Sequence, residues 1–309
     1  MRKLIKTTIL FLLPLVIGLT YIEHCLRKVP NDYSYKNDYL KNHSSEIEVL
    51  YLGSSHIFFG VNPEFSKYKG FNLAMTSQDL SLDWKLFNNF KDWKNLKTIV
   101  IPIDYISLYS KLEYGIEGWR MKNYTIYNDI SSNKFEDYFE ILNGKFSDNI
   151  TRLRNYYQYG KTDMDCNRYG FGTLYKSSIK NDLKSSAKIA AKRHSITIDS
   201  EKGKRAYNDN TEAIDNFISY AKNKNVKILF VSVPVTQYYS KLTKNEQLYS
   251  TFSFLKRELE KNKNCHYLDL MNDTEFSNID FYDADHLNSN GAKKFTIKLD
   301  DEIKKIPQH

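Results

Sequence analysis

The 309-residue chain has only three cysteines, no Cys-x-x-Cys spacing and a single long apolar run. So few cysteines exclude a disulfide scaffold, which needs several pairs. Without Cys-x-x-Cys the usual ligand spacing of a structural zinc site is missing. One apolar run excludes a polytopic membrane protein. No internal repeat is apparent. What the chain does have is a composition that can fold. Hydrophobic residues make up 41% and charged residues 27%, which is enough apolar content to bury a core and excludes wholesale disorder. The 45 Lys+Arg outweigh the 37 Asp+Glu for a net charge of +8.

The apolar run lies at the N-terminus. Arg2, Lys3 and Lys6 precede an uncharged stretch from Thr7 to Ile22. As a helix these 16 residues span about 24 Å at ~1.5 Å per residue, slightly short of a hydrocarbon core of about 30 Å. Lys6 can snorkel and Tyr21 suits an interface, which closes the gap. Basic residues ahead of the run direct the N-terminus to the cytoplasm and the body outside. Cleavage would want small residues near the end of the run, and Gly18 and Thr20 fit weakly. The expectation is an uncleaved signal anchor over residues 1–25, a polar linker over 26–45 and an extracytoplasmic body over 46–309.

Within the body, short apolar segments read as buried strands: Ile47–Leu52, Gly70–Leu73, Thr98–Ile103, Val226–Val233 and Cys265–Leu270. Between them, Ser81–Leu96, Thr211–Asn223, Glu246–Lys261 and Gly291–Lys305 carry apolar residues at helical spacing. The alternation predicts an α/β class, a three-layer α/β/α doubly wound fold with a mostly parallel sheet covered on both faces. Residues 107–210 break the rhythm and read as a large mid-chain insertion. Inside it Lys176, Lys180, Lys184, Lys188 and Lys192 form a ridge opposite Ile179, Leu183, Ala187 and Ala190. This is a solvated helix face or a contact for lipid headgroups or an anionic glycan. Nucleic acid is not expected as a partner, because the body lies outside the cytoplasm.

Two segments could carry chemistry. Gly53-Ser54-Ser55-His56 directly follows the first strand, at the carboxyl end where open α/β sheets present ligands. Gly53 permits a sharp turn, and helix N–H groups beginning there could stabilise an oxyanion. Near the C-terminus, Phe281-Tyr282-Asp283-Ala284-Asp285-His286-Leu287-Asn288 places an Asp three residues before a His. Asp283 can orient the His286 imidazole, which can take the proton of a serine brought near by folding. Asp285 is the alternative orienting group. His56 could contact substrate or cap the helix. No metal and no organic cofactor is required.

The strings VLYLGSSHIFFGVNP, GFNLAMTSQ, IVIPIDYISL and FYDADHLNSNGAKKF resemble the SGNH (GDSL-like) hydrolase superfamily. More narrowly, they resemble its membrane-anchored members in cell-surface glycan acylation, such as the teichoic acid D-alanine transfer protein and the alginate O-acetylation proteins. The resemblance covers roughly residues 46–106 and 211–305. It implies an SGNH/flavodoxin-like fold, Ser55 as nucleophile, His286 as general base and Asp283 as its orienting carboxylate. The family's oxyanion Gly and Asn have no clear counterparts. The second block reads Ala74-Met75-Thr76-Ser77-Gln78, and Asp104 stands where an Asn is expected. An ionised Asp cannot donate a hydrogen bond, so the Ser55 N–H with a donor from Thr76, Ser77 or Gln78 would have to serve. The expected function is serine-dependent acyl-ester transfer or hydrolysis on O-acyl groups, acetyl above all, of a cell-surface polysaccharide or cell-wall polymer. The resemblance further implies a multi-span membrane O-acyltransferase as partner. The alternative is a non-catalytic scaffold that binds glycan or such a partner.

Overall fold

The computed structural model describes residues 1–176 and 182–307. In chain order the helices are α1 (Arg2–Arg27), α2 (Asp32–His43), α3 (Ser55–Phe58), α4 (Leu80–Asn89), α5 (Met121–Asn128), α6 (Phe146–Tyr159), α7 (Leu183–His194), α8 (Glu201–Lys224), α9 (Gln237–Ser240), α10 (Asn245–Lys261) and α11 (Ser289–Lys305). The chain divides into two compact units, Met1–Asp38 with Ile116–Met164, and Tyr39–Gly115 with Asp165–His309.

The first unit is helical. α1 is long and apolar enough to cross a membrane, and its large apolar side chains are exposed from Leu4 to Leu19. Its last turns are polar and are tied down. The Glu23 carboxylate accepts the N–H groups of Glu140 and Ile141, and Arg27 donates to the Tyr138 carbonyl. Glu140 itself is fully buried, held by Lys122, Arg152 and the Tyr127 hydroxyl. Residues 26–45, expected as a linker, are instead mostly helix, with Leu26, Val29, Tyr33 and Leu40 buried. On α2 the buried apolar residues Tyr33 and Leu40 lie seven apart on one face, and the polar Lys36 and Asn37 between them are buried too.

The second unit is built on five parallel strands: β1 (Val49–Tyr51), β2 (Gly70–Asn72), β3 (Thr98–Pro102), β4 (Lys227–Ser232) and β5 (Cys265–Asp269). Their order, β2-β1-β3-β4-β5, is the flavodoxin-like doubly wound order. Val49, Leu50, Tyr51, Ile99, Val100, Ile101, Leu229 and Phe230 are all at zero exposure. Such continuous burial is the mark of strands covered on both faces. On one flank α4 packs on α8 through Trp84 and Phe217, edge to face with ring centroids 5.0 Å apart. At the edge, β5 is only partly buried.

The region expected as one insertion, 107–210, divides between the two units and is richer in helix than its polarity suggested. α8 starts at Glu201 rather than Thr211 because Ser200 caps it, its side chain accepting from the Gly203 N–H. On α7, Lys184, Lys188 and Lys192 are exposed opposite buried Leu183, Ala187 and Ala190. Ile179 and Lys180 of the expected ridge lie outside the described residues. α8 ends at Asn225, which is left-handed at φ 56° and whose N–H reaches the Ala221 carbonyl. Asn225→Ala should therefore cost about 1 kcal/mol, because a side chain without a local polar partner resists that conformation. A shift in the urea unfolding midpoint measures it.

All the sheet's carboxyl ends face one edge, since the strands are parallel. Gly53–Ser55 follows β1, Thr76–Gln78 follows β2, Asp104 follows β3 and Thr236 follows β4. This edge is where the two chemical segments meet.

Candidate active site

β1 runs into Gly53, whose φ of 123° lies in a region that side chains avoid. A Cβ there would also sit 2.4 Å from Pro102 Cγ. The Gly53 N–H donates to Asp83 Oδ1, and its carbonyl accepts from the Met75 N–H. The turn after β2 is thereby laid beside the turn after β1. Ser55 opens α3 and is half-buried. As the first residue of a helix, its N–H has no acceptor within that helix.

The second segment is locked by its own polar side chains. Asn288 caps α11 by accepting from the Asn290 and Gly291 N–H groups, and its amide donates to the Ile279 and Phe281 carbonyls. Gly291 is required because a Cβ would lie 2.2 Å from the Asp280 carbonyl oxygen. Within the loop, Asp283 Oδ1 accepts the backbone N–H groups of Asp285 and His286, which fixes the carboxylate next to the ring. His286 Nδ1 lies 2.9 Å from Asp283 Oδ1 and 3.1 Å from Oδ2. Its Nε2 lies 2.8 Å from Ser55 Oγ. Because an ionised carboxylate only accepts, Nδ1 carries the proton toward Asp283 and Nε2 is left to accept from the Ser55 hydroxyl. Asp285 is 3.7 Å from Nδ1, too far for a hydrogen bond, so Asp283 is the group that orients the ring.

Asp285 has a different place. It is buried, and its Oδ2 lies 3.2 Å from His56 Nε2, 3.6 Å from Arg193 and 3.8 Å from His194 Nδ1. The other His56 nitrogen, Nδ1, lies 3.3 Å from Asp104 Oδ2. Burial alone would lower the His56 pKa, but the two carboxylates outweigh it and push it up to about 10. Asp104 and Asp285 are also resisted by burial, yet the facing histidines hold both below the ordinary carboxylate range. The result is a charged Asp104–His56–Asp285 row under the nucleophile, with the His56 and His286 rings 5.0 Å apart. His194, by contrast, is pushed down to about 3 by burial and stays neutral, facing the Tyr239 hydroxyl at 2.8 Å.

These contacts correct two expectations. His56 and Asp104 were candidates for contacting substrate or an oxyanion, but both are buried and turned toward each other. Neither His56 nitrogen is left for a ligand. Gln78 is likewise turned inward, its amide donating to the Leu73 carbonyl and to Asp83 Oδ1. Asp83 is pushed up to about 7, chiefly by burial. Thr76 and Ser77 form the half-buried turn just before Gln78, Ser77 at φ 61°. Sequence reasoning did not find Tyr175, which stacks on Phe59 and Tyr282 and meets the His286 ring edge-on at 5.3 Å. Nor did it find Arg193 and His194 beside Asp285. Both gaps come from one region whose placement depends on long-range packing.

His56, Asp285 and His286 also present ligand atoms within 4.8 Å of one another. Each ring nitrogen already faces a carboxylate or the serine hydroxyl, so these residues form a hydrogen-bonded charge network rather than a set of open ligands. A cavity of about 20 Å³ lies beside the nucleophile turn, lined by Ser54, Gln78, Asp83, Pro102 and Ser107 among others.

A serine, an imidazole and a carboxylate in hydrogen-bonded sequence at the carboxyl edge of a doubly wound parallel sheet form an arrangement suited to nucleophilic acyl chemistry. By sequence the chain belongs to the family described as "Protein of unknown function (DUF1574)", whose model matches residues 130–297. No curated protein matches it. Among solved structures it is similar to a protein provisionally described as a platelet activating factor from Streptococcus pneumonia, at 12% identity and a TM-score of 0.43, over 95% of this chain and 98% of that one. It is also similar to a protein provisionally described as an acylhydrolase from Bacteroides fragilis, at 12% identity and 0.41, over 88% and 94%. A GDSL-like lipase from Bacteroides thetaiotaomicron gives 12% identity and 0.37, over 89% and 98%.

Proposed function

We propose that the protein is an SGNH-type serine esterase or O-acyltransferase that works through an acyl-serine intermediate. The observation that carries this reading is the unbroken contact chain Ser55 Oγ–His286 Nε2, 2.8 Å, and His286 Nδ1–Asp283, 2.9 Å. Ser55 Oγ attacks the ester carbonyl while His286 Nε2 takes its proton. Asp283 holds the ring and stabilises the imidazolium. The Ser55 N–H and a backbone donor from Thr76 or Ser77 receive the oxyanion. His286 then protonates the departing alkoxide. In the second half, water or a sugar hydroxyl gives its proton to His286 and attacks the acyl-serine carbonyl; the bond to Ser55 Oγ then breaks, and Oγ takes that proton back from His286.

The substrate we propose is an O-acyl group, acetyl above all, on a cell-surface polysaccharide. α7 carries exposed Lys184, Lys188 and Lys192 and ends beside Asp285 at Arg193 and His194, which favours an anionic polymer. α1 serves as the anchor, with the body on the extracytoplasmic side, and a multi-span membrane O-acyltransferase supplies or receives the acyl group.

One feature favours the alternative, a scaffold that binds glycan without turning it over. Asp104, Gln78 and His56 all face inward, so the oxyanion relies on backbone donors. Loss of one such donor costs about 3 kcal/mol in serine hydrolases, which would make a slow enzyme. A fluorophosphonate probe separates the two. The full chain should be labelled at Ser55, and Ser55→Ala should not be labelled. An unlabelled wild type that still binds glycan would leave only the scaffold.

A further inference from the structure

α6 of the first unit buries Asn149, 2% exposed, and turns Arg152 to Glu140 and Asp163. Its exposed surface carries polar Ser147, Asp148, Thr151 and Arg154 and, beside them, an apolar stripe. Phe146, Ile150 and Tyr157 recur at helical spacing on one stripe, and all three are exposed. The segment leading into α6 repeats the pattern, with Phe135, Tyr138 and Leu142 exposed. Surface patches of this kind mark a binding face.

The contacts with α1 say what covers it. Tyr157 reaches the Cys25 carbonyl at 3.5 Å. Glu23 and Arg27 bind the backbone of Glu140, Ile141 and Tyr138. Both attachments lie on the last turns of α1, just beyond its exposed apolar run, which ends at Leu19 with Tyr21 following. From Leu19 to Glu23 is about 6 Å along a helix, which is the level of headgroups when the run lies in hydrocarbon. Aromatic residues gather at that level. Lys134 and Lys145 are exposed and directly precede Phe135 and Phe146, so each aromatic has a basic neighbour able to meet lipid phosphate.

We infer that Phe135, Tyr138, Leu142, Phe146, Ile150 and Tyr157 form a collar that sits in the bilayer interface around the exit of α1. The chain then touches the membrane with a second, folded surface, which fixes the first unit against the bilayer instead of leaving it on a free tether. This inference rests on reading α1 as the anchor.

The test uses the full chain with p-benzoylphenylalanine introduced at Leu12, Ile150 or Asp148, which lies on the polar side of α6. Each protein is reconstituted in vesicles of phosphatidylethanolamine and phosphatidylglycerol, irradiated and analysed by mass spectrometry. Lipid adducts are expected at Leu12 and Ile150 and not at Asp148. Adducts at Leu12 without any at Ile150 overturn the collar and leave the anchor. Absence at both positions removes both. Protein adducts at Ile150, whether to a second copy or to another chain, or equal lipid labelling at Asp148, also overturn the collar.

Discussion

Ser55→Ala is expected to lower turnover of a simple acyl ester such as p-nitrophenyl acetate by about 10⁶-fold, by analogy with serine hydrolases whose nucleophile is removed. His286→Ala should cost as much, and the double variant no more than either alone, because the serine and the imidazole act as one unit. Asp283→Asn should cost about 10⁴-fold, since an amide that donates to Nδ1 turns the ring to the wrong tautomer. Asp285→Asn should not reproduce that loss in kcat, as Asp285 stands 3.7 Å from Nδ1. Steady-state kinetics on purified variants decide the matter. If Asp283→Asn leaves kcat intact while Asp285→Asn abolishes it, the orienting carboxylate has been wrongly assigned.

His56→Gln is expected to destabilise the second unit by about 3–5 kcal/mol, because it strips the counter-charge from two buried carboxylates. Its pH signature has a definite sign. His56 is pushed up to about 10 in the folded protein, above its unfolded value of about 6.5. Its stabilising contribution is therefore complete below pH 6.5 and is lost as pH rises toward 10, at up to about 1.4 kcal/mol per pH unit. Asp104 and Asp285 are lowered, so their contribution is present above about pH 3.8 and lost as pH falls below it. Asp83, pushed up to about 7, loses its contribution as pH rises through that value, but it does so in both proteins. The difference between wild type and His56→Gln therefore cancels Asp83 and reports the Asp104–His56–Asp285 group, whose carboxylates lose their partner in the variant. That difference should shrink from pH 6.5 to pH 10 in urea titrations. A constant difference across the window would show that His56 is neutral when folded.

The positions of the strands and of the helices beside them were largely legible in the amino-acid pattern. Val226–Val233 and Thr98–Ile103 are continuous β-branched and aliphatic runs, and only a strand buried on both faces uses such runs. The regions that misled are those where polar residues fold well. Residues 26–45 bury polar Lys36 and Asn37 along with Tyr33 and Leu40, and α8 begins early because of one serine cap. In both cases a few local contacts outweigh an unpromising average.

Sequence alone singled out the residues to which the proposed reaction is assigned: a serine behind a glycine at a strand end, and an Asp three places before a His at a helix start. Those are local facts, set by turn geometry and capping. Tertiary structure decided which partner each one has. Asp283 and Asp285 both precede the same histidine, and spacing favours Asp283 because adjacent residues rarely reach each other's ring, but spacing does not say where Asp285 goes. Only the fold turns Asp285 toward His56 and Arg193 and leaves Asp283 to His286. The same holds for His56, which adjoins the nucleophile yet is withdrawn from it. Two buried carboxylates from distant strands and loops bind it more strongly than anything at the surface could.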